Sequence, residues 1–230
     1  PQVEEAFVTK DEIDVEEDEF TILVFKADGD ALATVEVYDG NDRVEELWEE
    51  VEINKGDWYE VLWDGTDDDG DEADESNDYE FKITLANTAS EETTDTYSVD
   101  FDVEEDDVSS GKSNITNDYS GPVIWDEDVF GGGLMTFHYC IDEPAEVDLF
   151  IYDGTSTGGS ADAELLENYE QSTGCHEVEW NVVDDDGDEL DEDNYTYKIV
   201  TKVGSKKDTE TGQFVVGDLG AFGGEDYYYD

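Results

Sequence analysis

Positive charge is what this sequence has least of. Arg43 is the single arginine among ten cationic side chains, set against 69 Asp and Glu in 230 residues, a formal charge of -59. No basic stripe or arginine cluster is present to receive phosphates, so nucleic acid and anionic lipid headgroups are excluded as partners. Long apolar runs are missing too: the longest clear one, Thr21 to Phe25, falls far short of a membrane crossing. With no secretory signal or amphipathic anchor, a soluble chain without direct membrane insertion is expected. Pro1 in first place fits either removal of an initiator Met or cleavage from a longer precursor. Catalytic signatures are absent as well. There is no Gly-x-Ser-x-Gly, no His-Glu-x-x-His and no phosphate-binding glycine loop, and the two histidines have no nucleophile at a useful spacing. Carboxylate pairs are so frequent that none stands out, so no catalytic residue and no enzyme is expected. Proline is scarce, with three residues, while 37% apolar and 12% aromatic side chains supply more core than a disordered acidic tail would hold.

Such acidity has a physical cost, because like charges oppose compaction at ordinary ionic strength. In molar salt the Debye length falls to roughly 3 Å and only near neighbours still repel. In this respect the chain resembles proteins of extremely halophilic archaea.

What is present is an internal repeat. The run Trp63-Asp64-Gly65-Thr66-Asp67-Asp68-Asp69-Gly70-Asp71-Glu72 returns as Trp180-Asn181-Val182-Val183-Asp184-Asp185-Asp186-Gly187-Asp188-Glu189. Val35 to Gly40 matches Leu149 to Gly154, and Tyr79 to Ile83 matches Tyr195 to Ile199. The leading segments align in the same frame, Phe7-Val8 through Ile13 falling on Ile124-Trp125 through Phe130. The domain boundaries that follow are 1–104 for the first copy, 105–120 for an acidic linker, 121–217 for the second copy and 218–230 for a Gly/Tyr-rich tail.

Within each copy the apolar period is two. Phe20 to Phe25, Ala33 to Tyr38, Trp58 to Trp63, Tyr79 to Leu85 and Tyr97 to Val103 are short, rich in β-branched and aromatic residues, and separated by Asp-Gly and Asn-Asp turn signals. In the second copy the series is Leu134 to Ile141, Ala145 to Tyr152, Leu165 to Tyr169, His176 to Trp180, Tyr195 to Lys202 and Gln213 to Val216. Val44 to Glu50 and Ala161 to Asn168 have the composition of helix, yet both sit where a fourth strand belongs. About seven strands per copy, with turns every 8 to 12 residues, predicts an all-β fold of two tandem immunoglobulin-like β-sandwiches.

The order of Tyr-Asp, Trp-Asp-Gly, Asp-x-x-Gly and Tyr-x-Phe-x-Ile elements resembles the immunoglobulin-like module of bacterial flagellar hook-capping proteins, over residues 6 to 104 and 121 to 217. Asp78 and Asn194 stand where that module carries a loop glycine, and the capping protein's other regions have no counterpart. The resemblance implies the fold; modules of this kind serve as spacers, adhesins and assembly contacts alike.

The acidic loops raise calcium as a possible cofactor, with Asp67, Asp69, Asp71, Asp184, Asp186 and Asp188 as candidate ligands. An EF-hand register fails: with Gly70 or Gly187 at the sixth position, Gly65 or Val182 falls on the first ligand position. The competing reading is a Trp-capped turn decorated with acids. Cys140 and Cys175 fall at the end of the second strand and the start of the fifth, antiparallel neighbours in one sheet of this topology, so a disulfide is expected; zinc is disfavoured by the absence of Cys-x-x-Cys spacing. Closing a loop of about 35 residues contributes on the order of 3 to 4 kcal/mol. Asn114-Ile115-Thr116, read as an exposed linker sequon, and Asn194-Tyr195-Thr196 are candidate glycosylation sites. Phe222, Tyr227, Tyr228 and Tyr229 in the tail have no obvious core to enter and are candidate assembly contacts.

The functional expectation is a non-enzymatic structural subunit of an extracellular assembly, such as a surface filament, pilus or surface layer of a halophilic archaeon, that self-associates into a polymer. The alternatives are a surface or tail protein of a haloarchaeal virus and a carbohydrate-binding or adhesive module. The last would need a glycan platform, for which Trp48, Trp58 and Trp125 are the candidates.

Overall fold

The computed structural model describes residues 1–15, 19–104, 114–130 and 133–220, and divides the chain into two compact units. The first comprises residues 1–105 together with 218–230, the second residues 106–217.

The first unit is an immunoglobulin-like sandwich. Strands β1 (Val3–Val8), β3 (Thr21–Ala27) and β6 (Trp58–Trp63) form one sheet in the order β1-β3-β6. The other sheet runs β2-β8-β7-β4-β5, from β2 (Glu12–Asp14), β8 (Thr93–Glu104), β7 (Ser76–Ala86), β4 (Ala31–Asp39) and β5 (Asp42–Ile53). These strands pair antiparallel except β2 with β8, where the leading segment switches sheets and runs parallel to the last strand. Alternation sets the register: Ala31, Ala33, Val35 and Val37 of β4 and Tyr79, Phe81, Ile83 and Leu85 of β7 are buried in one core, with their neighbours outside. Asp39 pairs with Asp42 across Gly40, whose φ of 57° suits a two-residue hairpin loop. β5 is a strand along the whole stretch of helix-like composition, because a sheet edge beside β4 needs only every second residue to face the core.

The second unit repeats this plan with β9 (Ile115–Gly121), β11 (Met135–Ile141) and β14 (Gly174–Trp180) in one sheet, ordered β14-β11-β9. The other sheet is ordered β10-β16-β15-β12-β13, from β10 (Ile124–Trp125), β16 (Lys206–Val216), β15 (Asp193–Val203), β12 (Ala145–Asp153) and β13 (Ala163–Gln171). A short helix, α1 (Glu127–Phe130), follows β10 and is N-capped by Asp126, whose Oδ1 accepts from the Asp128 and Val129 amides. Phe137, Trp180, Tyr197 and Phe214 cluster at the centre of this core, with ring centroids 5.3 to 6.1 Å apart.

Three sequence expectations are corrected here. Phe7 pairs with Val24, and the residue in that register of the second unit is Tyr119, which pairs with His138. Ile13, not Val8, is the counterpart of Trp125, since β2 and β10 are the parallel strands. The leading alignment therefore slipped by one strand. As a result β9 occupies most of the last part of the expected linker, so residues 115–120 belong to the second sandwich. Asp218 to Gly220, expected in a separate tail, belong to the first unit.

Candidate functional site

The repeated acidic loop is built on one carboxylate. Asp67 Oδ1 accepts from the amides of Asp69 and Asp71, both at 2.9 Å, while the Asp67 amide and carbonyl bond to the Asp71 carbonyl and the Gly70 amide. The second copy is the same: Asp184 Oδ1 accepts from Asp186 at 2.9 Å and Asp188 at 2.8 Å. Asp68 and Asp185 tie each loop to the adjacent edge strand by accepting from the amides of Glu46 and Glu164. The tryptophan that ends the preceding strand closes the arrangement. Trp63 Nε1 donates to the Thr66 carbonyl and Trp180 Nε1 to the Val183 carbonyl. Gly65, at φ 83°, lies so close to Val15 that any side chain there would collide with it. Asp69, Asp71, Asp186 and Asp188 contribute backbone to the loops and project exposed carboxylates. Among the described residues no three His, Cys, Asp or Glu side chains converge as a metal site would require.

Cys140 and Cys175 are directly opposed in the β11–β14 ladder and form a disulfide, 35 residues apart in sequence. The bridge lies on the outer face of the β14-β11-β9 sheet. On the same face Tyr119 stacks on His138 with ring centroids 4.5 Å apart, and His138 Nδ1 lies 3.5 Å from the Glu177 carboxylate. His176, on the inward register, accepts no such role; its Nε2 is 2.7 Å from the Ser172 carbonyl.

The first sequon is not the exposed linker site that the sequence suggests. Asn114 is 3% exposed, its Nδ2 donates to the Glu143 carbonyl, and its Oδ1 accepts from the Glu143 amide at 2.8 Å. It acts as a staple at the start of β9. Asn194 is half-buried at the start of β15, and its carbonyl accepts from the Gly154 amide.

The tryptophans do not form an open platform in either unit. Trp58 and Trp125 are buried, and Trp48 packs edge-on against Phe25 and Tyr59 on the margin of the first core. Phe222, Tyr227, Tyr228 and Tyr229 lie outside the described residues.

Two features had no sequence signal. The outer face of the β1-β3-β6 sheet carries Phe7, Ile22, Val24, Trp58 and Leu62, with Lys26 bridging Glu5 at 3.1 Å at one end. Opposite Val24 on that face stands Glu60, whose carboxyl is pushed up to about 7 by burial. The second feature is the segment that follows β16. Trp58 donates its amide to the Asp218 carbonyl at 2.9 Å and accepts from the Gly220 amide at 2.8 Å, so Leu219 forms an isolated parallel bridge with Trp58 on the edge of β6. The Tyr59 ring covers Gly220 so closely that a Cβ there would lie 2.3 Å from a ring carbon.

No protein-family model matches the sequence, and no curated protein matches it. Among solved structures, the D0-D1 domain of intimin aligns over 96% of this chain and 98% of its own, at 8% identity and a TM-score of 0.28. Dimeric latent PorU from Porphyromonas gingivalis aligns over 94% of this chain at 13% identity and a TM-score of 0.35, the match spanning 20% of PorU. Among the described residues no helix is long and apolar enough to cross a membrane.

Proposed function

We propose that this chain is a non-enzymatic structural subunit of an extracellular assembly, a surface filament, pilus or surface layer of a halophilic archaeon, formed by self-association. The observation that carries this reading is the Cys140–Cys175 bridge on the outer face of a sandwich in a chain of charge -59. A cross-strand disulfide between these two cysteines calls for oxidising surroundings, which are found outside the cell. The charge calls for salt, because only a short Debye length lets such copies lie against one another. Each unit has a filled sandwich core suited to a structural module, and the loop carboxylates that look most like a site are occupied in holding their own backbone. The buried settings of Trp58 and Trp125 favour this reading over a glycan-binding module.

Sedimentation and negative-stain microscopy of the oxidised full-length chain in molar salt test the proposal. Regular polymers or sheets are the expected result. A monomer at every protein and salt concentration would sink it.

A further inference from the structure

Sheet edges are where sandwiches add strands, and this chain treats its edges unequally. The five-stranded sheets end in β5 and β13. β5 exposes Glu46, Glu49, Glu50 and Glu52, and β13 exposes Glu164, Glu167 and Glu170, so an incoming strand of the same chain meets like charge along the length of either edge. The edge of β6 differs. Its outward-facing residues are Trp58, Glu60 and Leu62, Leu62 being 45% exposed, and its first residue already holds a strand partner in Asp218 to Gly220. Both bonds of that pairing use the Trp58 backbone, and the side-chain requirement is set by Tyr59, which admits only glycine at position 220. Beyond Trp58 the strand runs on to Trp63, with the amides and carbonyls of Glu60 and Leu62 on the same edge as those of Trp58.

We propose that this edge of β6 is the acceptor for Asp218 to Gly220, and that in the assembly these residues are supplied by a second copy of the chain. The inference rests on the polymer reading above and names its contact. The element pairs with the same backbone groups whichever copy supplies it, so exchange between copies loses none of these bonds. Gly217 donates its amide to the Trp125 carbonyl of the second unit, and the segment belonging to the first unit begins at the next residue, so the exchanged element is short and terminal to the last strand. An acceptor in one domain and a donor after the other make a heterologous contact, which grows head to tail and does not close on itself in pairs. Main-chain bonds give the strand addition its affinity, and the glycine under Tyr59 gives it its register.

Copies carrying Trp58→Cys alone are mixed with copies carrying Leu219→Cys alone, in molar salt under oxidising conditions, and the products are mapped by peptide mass spectrometry. A covalent dimer joined through the two introduced thiols is expected, and the Trp58→Cys/Leu219→Cys double variant should give a ladder of covalent oligomers. Absence of the mixed dimer, with the double variant closing only within one chain, would overturn the exchange. Gly220→Val supplies the second arm: it should abolish sedimenting polymer while near-UV circular dichroism stays native. If wild type polymerises and Gly220→Val does so equally, the acceptor assignment fails and the polymer reading stands; if wild type never polymerises, both fail.

Discussion

Lys26 lies 4.3 Å over the indole ring of Trp58, at the cross-strand register that the disulfide of Cys140 and Cys175 holds in the second sandwich. The correspondence follows from the ladders. Thr21 faces Trp63 as Met135 faces Trp180, and five residues further along each pair stand Lys26 with Trp58 and Cys140 with Cys175. One copy of the repeat fastens β3 to β6 by a cation on an aromatic face, worth about 0.5 to 2 kcal/mol. The other fastens β11 to β14 covalently.

Reduction should therefore act on one domain. Breaking the bridge, or the Cys140→Ala/Cys175→Ala variant, is expected to destabilise the second sandwich by about 3 to 4 kcal/mol through loop-closure entropy and to leave the first unchanged. Domain-resolved hydrogen exchange in molar salt reads both. Equal loss of protection in β3 and in β11 would contradict it.

The first domain should accept the same fastening. Lys26→Cys/Trp58→Cys is expected to oxidise to a disulfide and to raise the melting temperature of that domain, the gain being reduced by the lost cation–π contact. Two free thiols after air oxidation would show that the registers are not equivalent.

Asp67→Ala and Asp184→Ala each remove the acceptor of two backbone amides and should cost about 1 to 2 kcal/mol apiece, whereas the Asn variants, which keep one side-chain oxygen, should cost less. Thermal unfolding in molar salt measures the difference. Chelating calcium at constant ionic strength should leave the wild-type transition in place, since an ion bound only by the native state would make it concentration-dependent.

Glu60 gives a pH dependence with a definite sign. Its folded-state pKa of about 7 is raised above the ordinary value of 4.5, so the buried carboxyl is tolerated fully only while protonated. Its penalty is absent below about pH 4.5, grows as pH rises and is complete above about 7, amounting to roughly 1 to 3 kcal/mol. Glu60→Gln should thus be no more stable than wild type in acid and more stable by that amount at neutral pH. A difference between the two proteins that does not change with pH would refute the assignment.

Salt is expected to behave as a condition for folding. Near-UV circular dichroism should be lost on dialysis below roughly 0.5 M salt, where the Debye length exceeds ~4 Å and 69 acids begin to repel beyond their neighbours. A native spectrum in dilute buffer would disprove this.

What could be read in advance was local and periodic. The alternation of Ala31 to Val37 and of Tyr79 to Leu85 and the returning Trp63 and Trp180 each carry their outcome within a few residues, and the cysteine pairing follows from the strand order that these local signals predict. The slipped alignment of Phe7 shows where that ends. β9 contains Thr116, Asn117, Asp118 and Ser120, a composition that resembles a loop, and it is a strand because β11 offers it a ladder. Asp118 is buried there and accepts from the Tyr197 hydroxyl at 2.9 Å, a partner 79 residues away. Glu60 and the Trp58 pairing with Asp218 to Gly220 were equally out of reach, since an acidic strand residue and a Gly-bearing tail look like many others in this chain.

The glutamates along β5 and β13 also set how the protein fails. Their negative charge keeps two exposed sheet edges from recruiting strands of neighbouring copies. Exchanging them for glutamine removes that protection and leaves the backbone of both edges open. Loss of edge charge, rather than heat, then becomes the condition under which a solution of this protein passes to ordered aggregation, with the native strands of β5 and β13 as its templates.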